Sequence, residues 1–247
     1  EMTTYPYSIE RDESFGLAYL SKNIDIGDID NFCKSNSLTQ SNYFLSALLY
    51  LLSEVTREDD ILITTINNGR SQSCMLNTMG MFVKTLPVVV DERVFSWEDS
   101  PANVVRAIQT QQLQAQRYDF YPFSRMAERH GLHSQIMYEY QEGITDIPET
   151  EEIGRTIHLT LDCAKLPLTV SVDRGGTHKK YRVLIRYDKA LYSYEDMDNL
   201  FKMFSVIAER MTYANKFCDI PLLNEKDTAK LTRLYQEGYE EAKKLCP

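Results

Sequence analysis

The chain has 247 residues, a hydrophobic fraction of 43% and a formal net charge of −9, which is enough apolar material to bury a core in one large domain or two small ones. The acidic balance argues against a broad nucleic-acid surface, because such surfaces need clustered lysine and arginine. No apolar stretch is long enough to cross a bilayer and the first residues lack a signal-peptide pattern, so we expect neither a nucleic acid nor a membrane as partner. The five cysteines stand at wide, irregular spacing, which predicts no disulfide framework and favours a reduced, cytoplasmic setting.

The first half of the chain alternates between strand-like and helix-like segments. Residues 14–24 mix apolar and small polar side chains and are predicted to begin as a strand. Residues 42–55 carry apolar side chains at three- and four-residue spacing nearly all round, which predicts a deeply buried helix. The run "ILITTI" at 61–66 follows as a short buried strand rich in β-branched residues, and "NNGR" at 67–70 indicates a loop.

A second strand is predicted over "FVKTLPVVV" at 82–90. Pro87 lies within it and cannot donate to a strand ladder, so this strand should lie at a sheet edge or carry a bulge. Ser100 followed by Pro101 predicts a helix start with serine as the cap, and the helix should run to about residue 117. Pro122 then opens a short helix that Gly131 ends.

The second half of the chain predicts a strand, a hairpin and two further helices. "QIMYEY" at 135–140 is strand-like, and residues 166–188 form two alternating runs around a glycine pair, as a β-hairpin does. An amphipathic helix is predicted over 195–213, and a charged helix with a weak apolar stripe over 224–244. Long helices between strands favour a layered α/β domain.

The four histidines do not form a recognisable catalytic or metal-binding set. His130 and His133 are three residues apart and could share a metal, but no further ligand pattern accompanies them, so a helix end and a loop are the favoured interpretation. His158 could act as a general base, although a strand histidine satisfied by a neighbour is the more common case, and His178 falls near the hairpin turn. Neither a Gly-x-Ser-x-Gly elbow nor a phosphate-binding glycine loop occurs. The residues alone therefore predict no catalytic residue and no metal site, and they leave the function open.

Lys84 stands in the otherwise apolar run "MGMFVKTLPVVVD" at 79–91. It could be a buried catalytic amine. A lysine that blunts an edge strand is the alternative, and local grounds favour it.

Six stretches, in the same order along the chain, resemble the condensation domains of nonribosomal peptide synthetases. They match the family's buried helix with its strand and Gly-Arg loop, its Gly-x-Phe-Val-Asn-Thr-Leu-Pro signature, the segment around Tyr-Pro-Phe, the strand after it, the closing hairpin with its helix, and the exit toward an adenylation domain. In this sequence they are "SNYFLSALLYLLSEVTREDDILITTINNGR", "MGMFVKTLPVVVD", "QAQRYDFYPFSRMAERHGL", "SQIMYEYQEG", "PLTVSVDRGGTHKKYRVLIRYDKALYSYEDMDNLFKMF" and "IPLLNEKDTAKL". The resemblance covers essentially the whole chain, and it rests on the order of motifs that are each modest alone.

The resemblance implies the fold of chloramphenicol acetyltransferase, in which two lobes form a V and the active site lies in the tunnel between them. The family's catalytic His-His-x-x-x-Asp-Gly motif belongs to the N-terminal lobe, and this sequence holds no adjacent histidine pair. We therefore expect residues 1–222 to be a C-terminal lobe, an α/β unit with a mixed sheet and flanking helices that is inactive without its partner lobe. Residues 223–247 are expected to be a helical linker toward a following adenylation domain, and the mid-chain character of residues 1–14 fits a longer parent protein.

The family reaction that the resemblance implies is peptide-bond formation between two carrier-bound acyl groups. The amine of the acceptor aminoacyl thioester attacks the donor thioester, and both substrates hang on phosphopantetheine arms that enter from opposite faces. The expected partners are the N-terminal lobe, the peptidyl or acyl carrier protein domains and the adenylation domain. This lobe itself is expected to bind no cofactor directly, because the carrier proteins hold the phosphopantetheine.

Two parts of the chain match site positions of the family. Arg70 matches the arginine of the Gly-Arg loop, which implies a charge-assisted bond to the aspartate of the absent motif; an exposed loop arginine is the alternative. The strand at 81–87 is expected to line the tunnel near the lobe interface. Lys84 replaces the usual asparagine, which donates and accepts, whereas lysine only donates and adds charge; any partner of Lys84 is expected in the other lobe. The expected tunnel and interface residues are Arg70, Met81, Phe82, Lys84, Thr85 and Pro87.

Two alternatives remain open within this resemblance. One is an epimerisation or ester-forming relative, although "FVKTLP" favours the condensation type, since epimerisation members differ in this stretch. The other is a non-catalytic module that only docks carrier proteins. An intact His-His-x-x-x-Asp-Gly motif upstream would support the enzyme, and a degenerate motif would support the docking module.

Overall fold

The structure is a computed structural model that describes residues 2–9, 16–25, 27–58, 60–70, 73–91, 96–142, 166–174 and 180–245. Within these ranges, six strands form one sheet that six α-helices accompany. The strands are β1 (Leu17–Asp25), β2 (Asp60–Asn67), β3 (Lys84–Asp91), β4 (Ile136–Glu142), β5 (Leu168–Arg174) and β6 (Lys180–Asp188). The helices are α1 (Ile29–Asn36), α2 (Gln40–Thr56), α3 (Pro101–Gln116), α4 (Phe123–His130), α5 (Tyr194–Arg210) and α6 (Glu225–Leu245).

The sheet is mixed, with the strand order β1-β6-β5-β4-β2-β3. β2, β4 and β5 run parallel to one another, whereas β1, β3 and β6 run antiparallel to their neighbours. The three parallel strands therefore end at the same side of the sheet, at Asn67, Glu142 and Arg174, where β3 and β6 begin at Lys84 and Lys180. We call this side the carboxyl edge; ligands of open α/β sheets bind at edges of this kind.

The position of β3 confirms the sequence prediction made from its proline. β3 is the outermost strand on one side of the sheet, and Pro87 lies opposite Thr64 of β2. A residue without an N–H group is tolerated there because an edge strand has a neighbour on one side only.

α2 lies deep in the core, as the sequence predicts. α2 is buried from Tyr43 through Leu52, because apolar residues surround it on nearly all sides. Tyr43 donates a hydrogen bond of 2.5 Å to the carbonyl oxygen of Ala208 in α5, and the rings of Phe44 and Tyr181 of β6 lie 4.6 Å apart. α2 therefore joins α5 to the sheet and anchors the layer of helices on it.

The predicted helix starts and stops are confirmed, with one correction. α3 begins at Pro101, but the side chain of Ser100 makes no capping hydrogen bond, so the fixed φ of proline starts this helix rather than a serine cap. α4 ends at Gly131, whose φ of 63° lies in the left-handed region that glycine adopts without strain.

Two elements differ from the sequence prediction. The sequence does not predict α1, because a helix of eight residues in which Ile29 and Cys33 are the buried positions gives little periodicity. β3 begins at Lys84, later than predicted, since the residues before it are held in a loop.

The two runs of the predicted hairpin pair as β5 and β6, whereas the glycine turn of the hairpin, His158 and His178 lie outside the described residues.

α6 is the predicted charged helix and is exposed over nearly its whole described length. The side chains of its apolar stripe, Leu231, Leu234 and Tyr235, are each more than half exposed, so α6 packs little against the sheet. In the described part of the chain, the helices are too short or too polar to cross a membrane.

Candidate functional site

The loop between β2 and β3 closes on itself at the carboxyl edge. We call it the Arg70 loop; its described residues are 68–70 and 73–83. Gly69 has a φ of +68°, and a Cβ atom placed on it would lie 1.9 Å from the carbonyl oxygen of Phe82. Glycine alone permits both the left-handed backbone and this approach. The start and the end of the loop are therefore in direct contact, which makes the loop a compact unit.

The guanidinium of Arg70 organises the interior of the Arg70 loop. It donates to the carbonyl oxygens of Met75, of Thr78 over 2.8 Å and of Gly80 over 3.0 Å. Its Cζ atom also lies 4.6 Å from the centre of the Phe82 ring, which is a cation–π distance. A planar group with five donors suits this position, because it reaches several carbonyls at once. Arg70 therefore shapes the loop, a role that the sequence does not predict.

Lys84, the first residue of β3, has a partner within this chain. Its ammonium lies 3.1 Å from the carboxylate of Asp119, in the turn between α3 and α4. The amide of Asn67 donates to the other carboxylate oxygen over 3.2 Å. The Asp119 side chain is only 7% exposed, against 35% for Lys84, and a buried carboxylate needs donors of this kind. The expectation that any partner of Lys84 would come from another lobe is therefore wrong.

The contacts of Asp119 and Asn67 with each other and with Lys84 are not predicted from the sequence, for a physical reason. Asp119 is 35 residues from Lys84 along the chain, so no local pattern connects them. An acid just ahead of the Tyr-Pro-Phe segment was a usable signal, but it does not identify the partner.

Exposed apolar side chains occur in the two segments that the Lys84–Asp119 pair joins. In the Arg70 loop, which precedes Lys84, Met79 and Met81 are 99% and 91% exposed. Around Asp119, residues 117–122 form a turn with exposed aromatic rings, which we call the aromatic turn. Exposed apolar surface marks interaction sites, and methionine and aromatic side chains are enriched in interfaces. We call the following residues the apolar patch: Leu76, Met79, Met81, Val83, Tyr118, Phe120 and Tyr121.

The predicted strand at 81–87 is divided between a loop and a strand. Met81 and Phe82 precede β3, Lys84 begins it, and Thr85 and Pro87 continue it. Successive residues of a strand point to opposite faces, so Thr85 and Pro87 lie on the face opposite to Lys84. The carbonyl oxygen of Gly80 accepts from Arg70 and that of Phe82 lies against Gly69, so the residues just ahead of Lys84 belong to the loop.

A second polar cluster lies at the carboxyl edge beside β5 and β6. The carboxylate of Asp30 in α1 accepts hydrogen bonds of 2.5 Å from Tyr181 and from Arg174. Burial and the hydrogen bond to Asp30 raise the pKa of the Tyr181 hydroxyl, so it stays protonated and donates at neutral pH. Arg174 also lies 3.1 Å from Glu142. These groups satisfy one another and hold α1 on the sheet, so the cluster has a structural role.

The histidines of the described residues do not build a metal site. His130 is the last residue of α4, and His133 lies beyond Gly131, in agreement with the helix end and loop that the sequence favours. Among the described residues, no group of three or more His, Cys, Asp or Glu side chains is placed to hold a metal ion.

Comparison with known families and proteins gives consistent matches. The family model described as "Condensation domain" matches residues 20–232. Surfactin synthase subunit 1 of Bacillus subtilis (strain 168) is 24% identical over 241 residues, which covers 92% of this chain and 7% of that protein. The chain therefore spans a small part of the length of this relative.

Solved structures share the fold. The X-domain from teicoplanin biosynthesis matches with a TM-score of 0.75 at 17% identity, over 90% of this chain and 54% of its own, and it has also been solved in complex with OxyB. A four-domain holo nonribosomal peptide synthetase bound to AMP and glycine matches with a TM-score of 0.71 at 18% identity, over 92% of this chain and 19% of its own. These matches confirm the predicted mixed sheet with flanking helices, and the chain spans about half of the X-domain.

The close approach at Gly69 predicts that Gly69→Ala is destabilising. A methyl group there must displace the backbone of Phe82 and occupy a left-handed conformation, so the free energy of unfolding should fall by about 1–3 kcal/mol. Gly238→Ala in α6 is the matched control, because nothing lies within 4 Å of its added Cβ and alanine favours an exposed helix by up to about 1 kcal/mol. Chemical denaturation of both variants measures the two changes. If the free energy of unfolding changed in the same direction in both variants, the close contact between Gly69 and the Phe82 carbonyl would be contradicted.

The contacts of Arg70 predict that Arg70→Ala loosens the Arg70 loop. Loss of hydrogen bonds from a charged donor should lower the free energy of unfolding by about 1–2 kcal/mol and speed amide hydrogen exchange at residues 73–83. Arg70→Lys should restore little of this, because a lysine cannot reach several carbonyls with one planar group. Arg233→Ala, at an arginine 80% exposed beside Glu237, should change stability by less than about 0.5 kcal/mol. Unchanged exchange in Arg70→Ala would show that the loop does not depend on the guanidinium.

Proposed function

The chain belongs to the condensation-domain family, and on that premise we propose that it is the C-terminal lobe of a condensation domain in a nonribosomal peptide synthetase. The domain joins two carrier-bound acyl groups through an amide bond. The observation that carries the proposal is the family match over residues 20–232, together with a fold that corresponds to about half of a solved X-domain. A lobe of this kind supplies one wall of the tunnel and needs a second lobe to complete the active site.

The reaction is an aminolysis of a thioester. The amine nitrogen of the acceptor attacks the thioester carbon of the donor, a C–N bond forms and the C–S bond breaks. The thiolate leaves on the phosphopantetheine arm of the donor carrier protein and takes up the proton that the amine loses. In the family, the histidine pair of the N-terminal lobe positions or deprotonates the amine, and this chain holds no adjacent histidines. Carrier proteins bring both arms, and this lobe holds no cofactor itself.

The apolar patch and the Arg70 loop face the tunnel and the N-terminal lobe. Exposed methionine side chains adapt to irregular surfaces, which suits Met79 and Met81 at 99% and 91% exposure for burial against a partner lobe. The tunnel wall comprises Arg70, Met81, Phe82 and Lys84, whereas Thr85 and Pro87, on the opposite face of β3, belong to the lobe interface.

Arg70 combines its role in the loop with a contact between lobes. Three of its five N–H groups are engaged by carbonyl oxygens of the loop. The others serve the aspartate of the His-His-x-x-x-Asp-Gly motif in the partner lobe, through a charge-assisted bond. The Arg70 loop thereby presents a fixed donor to the motif.

The boundary of the lobe falls just before α6. Residues 1–222 form the lobe, and residues 223–247 form the linker toward the adenylation domain. The exposure of α6 over most of its length supports this division, and the family match extends from the lobe into the first turns of α6, to residue 232.

A docking module without catalysis is the second candidate function. The observation that favours it is the X-domain, which matches this fold with a TM-score of 0.75 and has been solved in complex with OxyB. Such a module would use the same exposed surface to hold a partner protein, and it would not need the histidine pair.

The proposal predicts amide formation by the complete domain and none by this chain alone. The complete domain is this chain joined to its N-terminal lobe, and it should turn over donor and acceptor carrier proteins loaded with aminoacyl groups. The acceptor carrier, analysed by intact-protein mass spectrometry, should gain the mass of the donor acyl group. Replacement of the second histidine of the upstream motif by alanine should abolish the gain and leave carrier binding unchanged.

Three results would contradict the proposal in distinct ways. Turnover by this chain alone would show that the active site is contained within it. Carrier binding by the complete domain without any product would favour the docking module. A product that dilute base hydrolyses as an ester would identify an ester-forming relative.

A further inference from the structure

Lys84 and Asp119 form an asymmetric ion pair at the carboxyl edge. The carboxylate is the enclosed partner, with 7% of its side chain exposed, and the ammonium is the outer one, at 35%. Both oxygens of Asp119 are occupied, one by Lys84 over 3.1 Å and the other by Asn67 over 3.2 Å. The surface that the pair presents outward is therefore that of the cation.

The ammonium keeps donor capacity beyond this pair. A lysine carries three N–H groups and accepts none, and the contact to Asp119 is the hydrogen bond that Lys84 makes within the described residues. Because an ammonium is tetrahedral, its other N–H groups point away from the Asp119 oxygen that it binds, and 35% of the Lys84 side chain is exposed. An anionic group that approached there would meet Lys84 before it met Asp119.

The residues next to Lys84 and Asp119 along the chain carry exposed apolar side chains. Val83 before it is 54% exposed, and Tyr118 and Phe120 beside Asp119 are 68% and 72% exposed. A group bound over this surface leaves part of its water behind, and electrostatic attraction strengthens as water is excluded. The family's usual asparagine would offer an uncharged amide at the same place.

We propose that Lys84 gives the condensation domain a preference for acyl groups whose side chain carries a carboxylate, bound by the outward N–H groups of its ammonium. This inference rests on the proposed function, since it assigns a substrate class to the tunnel wall. Asp119 is a positioning residue: it holds the ammonium at the carboxyl edge and partly offsets its charge. Asn67 keeps the carboxylate of Asp119 in place.

The test compares glutamyl and glutaminyl substrates, which have nearly the same shape and differ in charge. The complete condensation domain is given carrier proteins loaded with one or the other, first as donor and then as acceptor, and kcat/KM is measured for amide formation. The glutamyl substrate should be preferred on one of the two sides by about three- to fivefold, the size of a partly exposed ion pair. The preference should shrink as salt rises.

Substitutions of Lys84 and of Asp119 should change the ratio of kcat/KM for the glutamyl over the glutaminyl substrate in opposite directions. Lys84→Met and Lys84→Asn should bring the ratio to about one, and Lys84→Arg should keep it, because the charge remains. Asp119→Asn should raise the ratio above that of the unmodified domain, since the charge of Lys84 is no longer offset. Lys202→Met removes a lysine of α5 that is 45% exposed and paired with Asp198 over 3.1 Å, and it should leave the ratio unchanged. Melting temperatures of all variants separate folding defects from changes in preference.

Three outcomes would overturn the inference. A ratio that stays the same in Lys84→Met would show that Lys84 does not meet the side chain. An equal loss for both substrates would show that Lys84 acts on a group common to them, such as the phosphate of the phosphopantetheine arm, or on folding. No amide product from any substrate would overturn the proposed function itself and this preference with it.

Discussion

The parallel alignment of β2, β4 and β5 is the constraint on which the arrangement of the carboxyl edge depends. Because these strands end on the same side, the loop after β2, the start of β3 and the charged ends of β4 and β5 meet at one edge. Backbone pairing sets the alignment, and α2 packs against both the sheet and α5. The helices and the strands thus form a base on which the irregular segments of the carboxyl edge are held.

Two different sets of contacts hold those irregular segments in place. The Arg70 loop is closed by backbone contact at Gly69 and filled by one guanidinium. The aromatic turn is tied to the start of β3 by the Lys84–Asp119 pair. In both sets of contacts the polar groups bind one another, and the methionine and aromatic side chains nearby remain exposed. This division explains how an acidic chain can expose apolar side chains on well-held segments.

The sequence predicts the parts of this structure that local patterns control. The burial of α2 follows from its apolar periodicity, the edge position of β3 follows from Pro87, and the short helix after Pro122 ends at Gly131 as expected. The resemblance to condensation domains is enough to direct attention to the region around residues 69–87. Single residues in that region are predicted less well, because their partners are distant in sequence: Asp119 approaches Lys84 only through the fold, and the carbonyls that Arg70 binds are presented by a loop without a repeating pattern.

The central claim is that the apolar patch is a contact surface for a second lobe, and methionine oxidation tests it most directly. The chain alone and the complete domain are treated with dilute hydrogen peroxide, and sulfoxide formation at Met79 and Met81 is followed by peptide mass spectrometry. Burial against the N-terminal lobe should slow oxidation of both residues markedly in the complete domain, while Met203, half-buried in α5, should react at the same rate in both proteins. Equal rates at Met79 and Met81 in the two proteins would contradict the account, because the surface would then remain free when the second lobe is present.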